Sequence, residues 1–280
     1  MFRKSTFNEF IKIAAKPRSY IGLGAITLLV GVILFAMRMD GQSYLTFITG
    51  SFEQTLSFQG NVLNGNLMAF IVLQLLIIHI PLLVALVTGD LVSGEAASGS
   101  IRMLCTKPIS RTQLLLSKFV AGSAYTLIIL VWFGVMALGI GKLLFGTGDL
   151  MVLNSQGLFI LQSSDVMWRF FSGLAVAYLA LVTIATLSIT LSCFTDNSIG
   201  PIVTTMAIII LFTIIGTLDV PVFDTIRPLL FTTHMASWRS FFYDPIPKQE
   251  IINSVIVLLI HIAGLLGIAL YKFNKKDILS

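Results

Sequence analysis

The chain has 280 residues, of which 56% are hydrophobic and only 11% are charged, and its mean hydropathy is +0.94. A soluble domain would carry about a quarter charged residues, and a disordered chain would be poor in apolar residues, so the composition excludes both classes. The formal charge of +5 is better explained by Lys and Arg that orient a polytopic membrane protein than by a nucleic-acid partner.

Residues 1–20, ahead of the first apolar segment, predict an amphipathic helix that lies in the membrane interface. Thr6 and Glu9 have the spacing of a capping box, and Pro17 ends the segment. A basic helix with aromatic residues on its apolar face binds at the level of the lipid headgroups; a frayed basic tail is the alternative. The apolar residues that recur at helical spacing are Phe7, Phe10, Ile11 and Ala14.

Six apolar segments are long enough to cross a bilayer, whose hydrocarbon core requires about 20 residues per helix. Residues 195–198 alone separate the fourth from the fifth segment, which predicts a tight turn between antiparallel neighbours. We therefore expect one all-α transmembrane domain over residues 1–280. The spans cover about residues 21–37, 67–87, 119–141, 171–194, 199–218 and 251–271.

An even number of spans places both termini on the same side of the membrane, and the basic residues indicate which side that is. Twelve of the 18 Lys and Arg residues fall on the side of the termini. Since cytoplasmic loops carry the excess of Lys and Arg, we expect both termini to be cytoplasmic. Cys105 and Cys193 then read as reduced thiols, not as a disulfide or a metal site.

The loop 89–118, between the second and third spans, carries the most patterned sequence of the chain. Its first half predicts a short helix that Ser93 caps, with Glu95 in the first turn, where the helix dipole favours a carboxylate. Gly94 and Gly99 lack side-chain bulk where another backbone could approach. This half of the loop is typical of a short, stiff element beneath the membrane.

The second half of the loop predicts the start of the helix that becomes the third span. Pro108 imposes an extended turn on the residue before it, and Ser110 and Gln113 have the spacing of a second capping box. Arg111 and Lys118 are seven residues apart, on one face of this helix. A solvated connector is the alternative interpretation of the whole loop.

Ten residues of the loop stand in an ordered pattern: Asp90, Gly94, Glu95, Gly99, Ser100, Ile101, Pro108, Ser110, Arg111 and Lys118. In this pattern, the six spans and the N-terminal helix, the chain resembles the ABC-2 family of ATP-binding-cassette (ABC) transporter permeases. It departs from the family pattern at Ala96, where a basic residue often follows the glutamate. The resemblance implies a dimer, of two copies or of two paralogues, gripped through this loop by cytoplasmic ATPase subunits, usually for export.

The segment between the fifth and sixth spans is rich in aromatic residues but too short and too charged to cross the membrane. Aromatic rings of this kind favour the membrane interface, and the segment resembles the outer re-entrant helices of ABC-2 permeases. An outer gate is one hypothesis, and a loop that rests on the membrane surface is the other. Its aromatic residues are Phe231, Trp238, Phe241, Phe242 and Tyr243.

Three polar residues lie within the predicted spans: Gln74, His79 and His261. At 1.5 Å per residue, the two histidines lie roughly 18 and 15 Å from the outer ends of their spans, near mid-membrane. Hydrogen bonding inside the bundle, near a substrate pathway, is the commoner role for such residues. Ligation of a haem by the two histidines is the alternative.

The sequence lacks a GxxxxGK[ST] phosphate loop and the HExxH and GxSxG motifs of hydrolases, so we expect no catalysis and no cofactor in this chain. ATP and Mg would be bound by a partner ATPase. Together with the patterned loop, these absences favour a permease subunit, and the resemblance to ABC-2 permeases implies the inner (cytoplasmic) membrane of a prokaryote. The alternatives are a redox or lipid-modifying membrane protein that uses His79 and His261, and a membrane anchor for a cytoplasmic complex.

Overall fold

The structure, a computed structural model, describes residues 2–49, 62–100, 109–154 and 157–276. Its helices are α1 (Phe2–Ala15), α2 (Arg18–Thr49, interrupted at Asp40), α3 (Gly65–Leu76), α4 (Ile80–Thr88), α5 (Asp90–Ala97), α6 (Arg111–Gly134), α7 (Gly141–Phe145), α8 (Ser163–Ser192), α9 (Ile199–Thr217), α10 (Phe231–Met235) and α11 (Lys248–Lys275). A π-helical segment, Val135–Ile140, joins α6 to α7, and 3-10 turns occupy Pro221–Phe223, Arg227–Leu229 and Ala236–Phe242.

Six of the described helical segments are long and apolar enough to cross a membrane, which confirms the predicted all-α polytopic class. The long central helix α8 packs against α4, α6, α9 and α11, and it is the most buried of the six within the bundle. The six segments are Arg18–Gly41, Ile80–Ala97, Arg111–Phe145, Ser163–Ser192, Ile199–Thr217 and Lys248–Lys275.

The prediction of one continuous second span over 67–87 is wrong. The helix breaks into α3 and α4 at a turn over residues 77–79, and the segment that qualifies as a span extends from Ile80 to Ala97. Pro81 explains the break, since it has no N–H to donate and its ring clashes with the carbonyl of the residue four positions earlier. Pro81 accordingly lies in the first turn of α4.

The predicted capping box of the N-terminal helix is also wrong. Helix α1 begins at Phe2, so Thr6 lies inside it and donates a hydrogen bond to the carbonyl of Phe2 at 3.1 Å. The exposed face of α1 does carry Phe7 and Ile11, as the interfacial helix requires. Glu9 is buried on the opposite face, where α1 packs against α6.

Between the third span and α8, the chain forms a small antiparallel hairpin that the sequence pattern did not indicate. Strand β1 (Leu150–Asn154) pairs with β2 (Gly157–Leu161). The side chain of Asn66 donates to the carbonyl of Gly148 at 2.7 Å and fastens the hairpin to the start of α3. The hairpin therefore lies at the end of the bundle where α3 begins, which we call the far face.

The opposite end of the bundle carries the first and last described residues, Phe2 and Lys276, and we call it the terminal face. Helices α1 and α5, the start of α6, the turn between α8 and α9, and the end of α11 meet there. The described parts of the loop that the sequence singled out, 89–100 and 109–118, thus lie against the N-terminal helix and beside the end of the last span.

Candidate functional site

Four charged side chains of alternating sign form a closed ring at the terminal face. Lys12 Nζ lies 2.6 Å from Glu9 Oε1 and 2.7 Å from Glu95 Oε1. Lys118 Nζ lies 2.8 Å from Glu9 Oε2 and 2.6 Å from Glu95 Oε2, the latter an ion pair without a hydrogen bond. This charge ring connects α1, α5 and α6, which are far apart in the sequence.

Most of the charge ring is buried. The side chain of Lys118 is 0% exposed, Glu9 is 3% and Glu95 is 10% exposed, and Lys12 forms the rim at 38%. Burying an isolated charge is very costly, and a buried ion pair is tolerated only when its partners are well placed. Since two carboxylates face two ammonium groups, the ring has no net charge, and the loss of any one member would leave a buried charge in excess.

A second cluster surrounds Asp90, the first residue of α5. Its carboxylate oxygens lie 2.6 Å from Lys16 Nζ and 2.8 Å from Arg18 Nη1. The carboxylate folds over Gly94, where any Cβ would collide with it. Gly94 therefore makes room for a side chain of its own helix, and not for an approaching partner backbone.

The N-terminus of α5 is capped by a neighbouring helix and not by the predicted Ser93. The hydroxyl of Ser192, at the end of α8, accepts hydrogen bonds from the backbone N–H groups of Ser93 at 2.8 Å and Val92 at 3.3 Å. These are two of the first N–H groups of a helix, which have no partner within it. Ser93 instead donates its hydroxyl to the carbonyl of Gly89. Helix α5 is thus anchored to the central helix.

The start of α6 is attached to the end of α11. Ser110 caps α6 by accepting from the N–H of Gln113 at 3.2 Å, as predicted. Arg111 donates to the carbonyls of Asn274 and Lys276 at 3.0 and 2.8 Å. Lys276 also forms an ion pair with Asp196, in the turn between α8 and α9. Arg111 therefore joins helices of this chain to each other.

What α5 leaves exposed is its tip, from Ala97 to Gly99. Gly99 has a φ of +70°, which only glycine adopts readily, and no described atom lies within 4 Å of where its Cβ would be. Ser100 donates to the carbonyl of Glu95 and closes the end of the helix. The predicted site residues Ile101 and Pro108 lie outside the described residues.

The described charged residues of the loop are engaged within the chain. Asp90, Glu95 and Lys118 point into the protein, so they position the loop and are not free to pair with a partner. The sequence reasoning missed Glu9 and Lys12 as the partners of Lys118 and Glu95. The signal that could have found them is Lys118 itself, since an ionisable residue flanked by Leu114–Leu116 and Phe119–Val120 requires buried partners.

Burial and pairing shift the pKa values of both α1 members of the ring. Burial alone would raise the pKa of Glu9, but the ammonium groups of Lys118 and Lys12 outweigh it and hold the pKa below 4.5. Burial opposes the charged form of Lys12 too, yet hydrogen bonds to Glu9 and Glu95 raise its pKa above 10.5. Both residues are therefore charged at neutral pH.

These shifts predict how the stability of the protein depends on pH. The contribution of Glu9 is present above its unfolded pKa of 4.5 and is lost as the pH falls through its lower folded pKa. That of Lys12 is present below 10.5 and is lost as the pH rises through its higher folded pKa. Melting temperatures in detergent should thus form a plateau from about pH 5 to 10, with an acid limb that Glu9→Gln weakens. The exposed control Glu250→Gln should keep the wild-type profile; an unchanged acid limb in Glu9→Gln would contradict the prediction.

The polar residues of the predicted spans are not gathered into one site. Gln74 and His79 are exposed at the surface of the chain, and the ring of His79 bonds to the carbonyl of Leu75 in the preceding turn. His261 is half-buried, bonds to the carbonyl of Val257 and packs its ring against Phe231 at 5.8 Å. The expectation that both histidines hydrogen-bond inside the bundle is wrong for His79. Within the described ranges no cluster of three or more His, Cys, Asp or Glu could hold a metal ion.

The aromatic segment before α11 is packed into the protein, and its role as an outer gate stays a prediction. Phe231, Trp238 and Phe242 are fully buried, while Phe241 and Tyr243 are half-buried. Arg169 of α8 anchors the segment through hydrogen bonds to the carbonyls of Phe241 and Tyr243 at 3.0 and 2.9 Å.

The ring of Phe242 lies at the centre of an aromatic cluster. Its centroid is 4.9 Å from those of Phe70 and Phe170 and 6.1 Å from that of Trp238. Tilted ring pairs at these distances add to the stabilisation that burial provides. The segment thus joins the start of α8 to α3 near the far face.

The sequence is similar to those of known proteins. The family described as "Protein of unknown function (DUF2705)" matches residues 23–279. The chain is also similar to the "Probable ABC transporter permease protein NosY" of Stutzerimonas stutzeri, with 37% identity over 99 residues. That match spans 35% of this chain and 35% of the relative, so about a third of each protein is related in this way.

Proposed function

This chain belongs to the family described as "Protein of unknown function (DUF2705)", and we propose that it is the permease subunit of an ATP-driven ABC transporter of the ABC-2 type. The observation that carries the proposal is α5, a short helix whose tip is exposed and whose other contacts hold it rigidly to three neighbouring helices. The similarity of about a third of the chain to a probable ABC transporter permease supports it.

The geometry suggests how force would pass from a partner to the membrane helices. An ATPase subunit that pushed on residues 97–100 would displace α5 as a unit, because the charge ring and the Ser192 cap leave it no freedom to move alone. The displacement would reach α1 and α6 through Glu95, and α8 through Ser192. Two packed arrangements of these helices would then give the alternating access of a transporter.

The remaining parts of the proposal concern partners and location. The cytoplasmic ATPase binds ATP and Mg and hydrolyses the ATP. This chain supplies no catalytic residue. A second copy or a paralogue completes the translocation pathway, and export is the direction that we propose. The terminal face, rich in Lys and Arg, lies in the cytoplasm and the far face outside a prokaryotic inner membrane.

The test is a variant that alters the tip of α5 without touching the charge ring. Ser98→Trp places a bulky ring on the exposed tip, and Ser164→Trp places it on an exposed site at the opposite end of the bundle. The chain is purified in mild detergent from its native membrane, and co-purified proteins with a GxxxxGK[ST] loop are assayed for ATP hydrolysis. We expect a stoichiometric ATPase with wild type and Ser164→Trp, and at least a tenfold loss with Ser98→Trp.

Either of two results would contradict the proposal. An ATPase that binds Ser98→Trp as well as wild type would mean that α5 is not its attachment site. A partner that binds but hydrolyses no ATP would identify the chain as an anchor for a cytoplasmic complex.

A further inference from the structure

A cavity of about 360 Å³ opens in the bundle beside the break in the second span. Its walls come from the α3–α4 turn, α8, α9 and the segment α10 with the following 3-10 turn. The volume is within the range of sites that hold small organic ligands. No sequence motif indicated it, because its walls come from four separate parts of the chain.

The cavity is apolar at its floor. Pro81, Ala177, Ala180 and Leu181 line it and are buried. The two alanines leave the space open, since larger side chains at those positions of α8 would occupy it. An apolar floor of this kind binds a hydrocarbon body in preference to water.

The exposed residues that line the cavity include threonines as well as the apolar Ile78. The lining residues of α9 extend from Ile209 to Thr217, a length of about 12 Å along the helix. Thr217 is exposed. Thr233 is exposed on the opposite wall. A ligand would therefore meet apolar surface at one end and hydrogen-bonding groups at the other.

One cation lies at the mouth of the cavity. Arg239 is exposed, lines the cavity and has its guanidinium 5.7 Å from the ring centroid of Trp238, which forms the adjacent wall. Arg169 and Arg227 are paired with carboxylates, whereas Arg239 is in none of the ion pairs of the described residues. The guanidinium is free to bind an anion from outside the chain.

We propose that this cavity binds an amphipathic organic anion, with the apolar body on the alanine floor and the anionic group at Arg239. The inference deepens the proposed function, since it names the class of substrate that the permease would carry. The site is built within one subunit, so its occupancy can be measured without the ATPase. Failure of binding is thereby distinguishable from failure of the transport assignment.

The experiment uses Trp238 as a reporter in the full-length chain. Trp132 and Trp168 are replaced by Phe, the protein is placed in phosphatidylcholine nanodiscs, and quenching by an undecanoate with a terminal bromine is measured at pH 8. We expect saturable quenching by the carboxylate. The corresponding bromoundecanol, of the same length but neutral, should bind more weakly.

Two pairs of variants separate the contributions of charge and shape. Arg239→Gln should weaken binding of the carboxylate by about fivefold and leave the alcohol unchanged, since it removes one charge-assisted contact. Lys248→Gln, which removes an exposed cation outside the cavity, should change neither. Ala180→Leu should abolish saturable quenching by filling the floor, whereas Ala180→Ser, of nearly the same volume, should retain it.

Quenching that does not saturate, or that Ala180→Leu leaves unchanged, would show that the probe acts from the bilayer and would overturn the site. Equal binding of alcohol and carboxylate, with no effect of Arg239→Gln, would identify a groove for neutral lipid tails and would overturn the assignment of an anion. Binding as expected, with no ATPase found on the tip of α5, would sustain this inference and remove the transport role.

Discussion

Lys118→Met should lower the free energy of unfolding by about 3 kcal/mol, because it leaves Glu9 and Glu95 buried with only Lys12 to neutralise them. The Met side chain fills nearly the same space, so the loss arises from charge and not from a cavity. The measurement is a melting curve of the purified protein in detergent at pH 7. Lys4→Met, an exposed change on α1, should shift the curve little.

A double variant distinguishes the charge ring from a general sensitivity of this position. Glu9→Gln removes one carboxylate, so Glu9→Gln with Lys118→Met leaves Glu95 and Lys12 as a neutral pair. The double variant should therefore be more stable than the sum of the two single losses predicts, by about 1 kcal/mol or more. Strict additivity would mean that the four charges do not act as one unit.

Arg169→Gln should release the aromatic segment before α11 and destabilise the protein by about 2–3 kcal/mol, the typical effect of losing hydrogen bonds from a buried charged donor. The guanidinium is the group that holds the carbonyls of Phe241 and Tyr243, and its side chain is only 8% exposed. Limited trypsin digestion in detergent should then cleave at Arg239 much faster than in wild type.

The ion-pair partner of Arg169 provides the matched control. Asp165 is 40% exposed, and exposed ion pairs contribute little, so Asp165→Asn should change the melting temperature and the rate of cleavage far less. Comparable effects of both variants would mean that the ion pair, and not the two carbonyl contacts, secures the segment. The quenching assay can also be applied to Arg169→Gln. A lower affinity for the probe would show that the cavity wall depends on this anchor.

Much of the architecture could be predicted from the sequence. Long apolar runs have few stable alternatives to membrane-spanning helices, because every backbone polar group must be satisfied within the segment. The cap at Ser110 could be predicted for a similar reason, since a helix start needs an acceptor for its free N–H groups and the local sequence supplies one. Pro81 is a sequence signal for the break in the helix. The continuous apolar run around it nevertheless predicts a single span, so the boundary was missed.

The direction of the charged side chains could not be predicted. Glu95 follows a glycine in a polar loop, where an exposed carboxylate is the ordinary expectation, and only the packing of α1 against α6 makes it a buried member of a ring. Helix α5 likewise receives its cap from Ser192, about a hundred residues away in the chain. The same holds for Phe231, Trp238 and Phe242. The aromatic composition of their segment favours the membrane interface, but packing against neighbouring helices buries their side chains in the core.

The sequence by itself determined the class of the protein, the existence of the six apolar spans and the singular character of the loop 89–118, because these depend on local composition and spacing. The tertiary structure decided which charges are buried, which helix ends are capped by other helices and where a cavity opens. Those properties depend on groups that are distant in the chain and adjacent in space. Their energies come from burial and pairing, which do not exist until the helices pack.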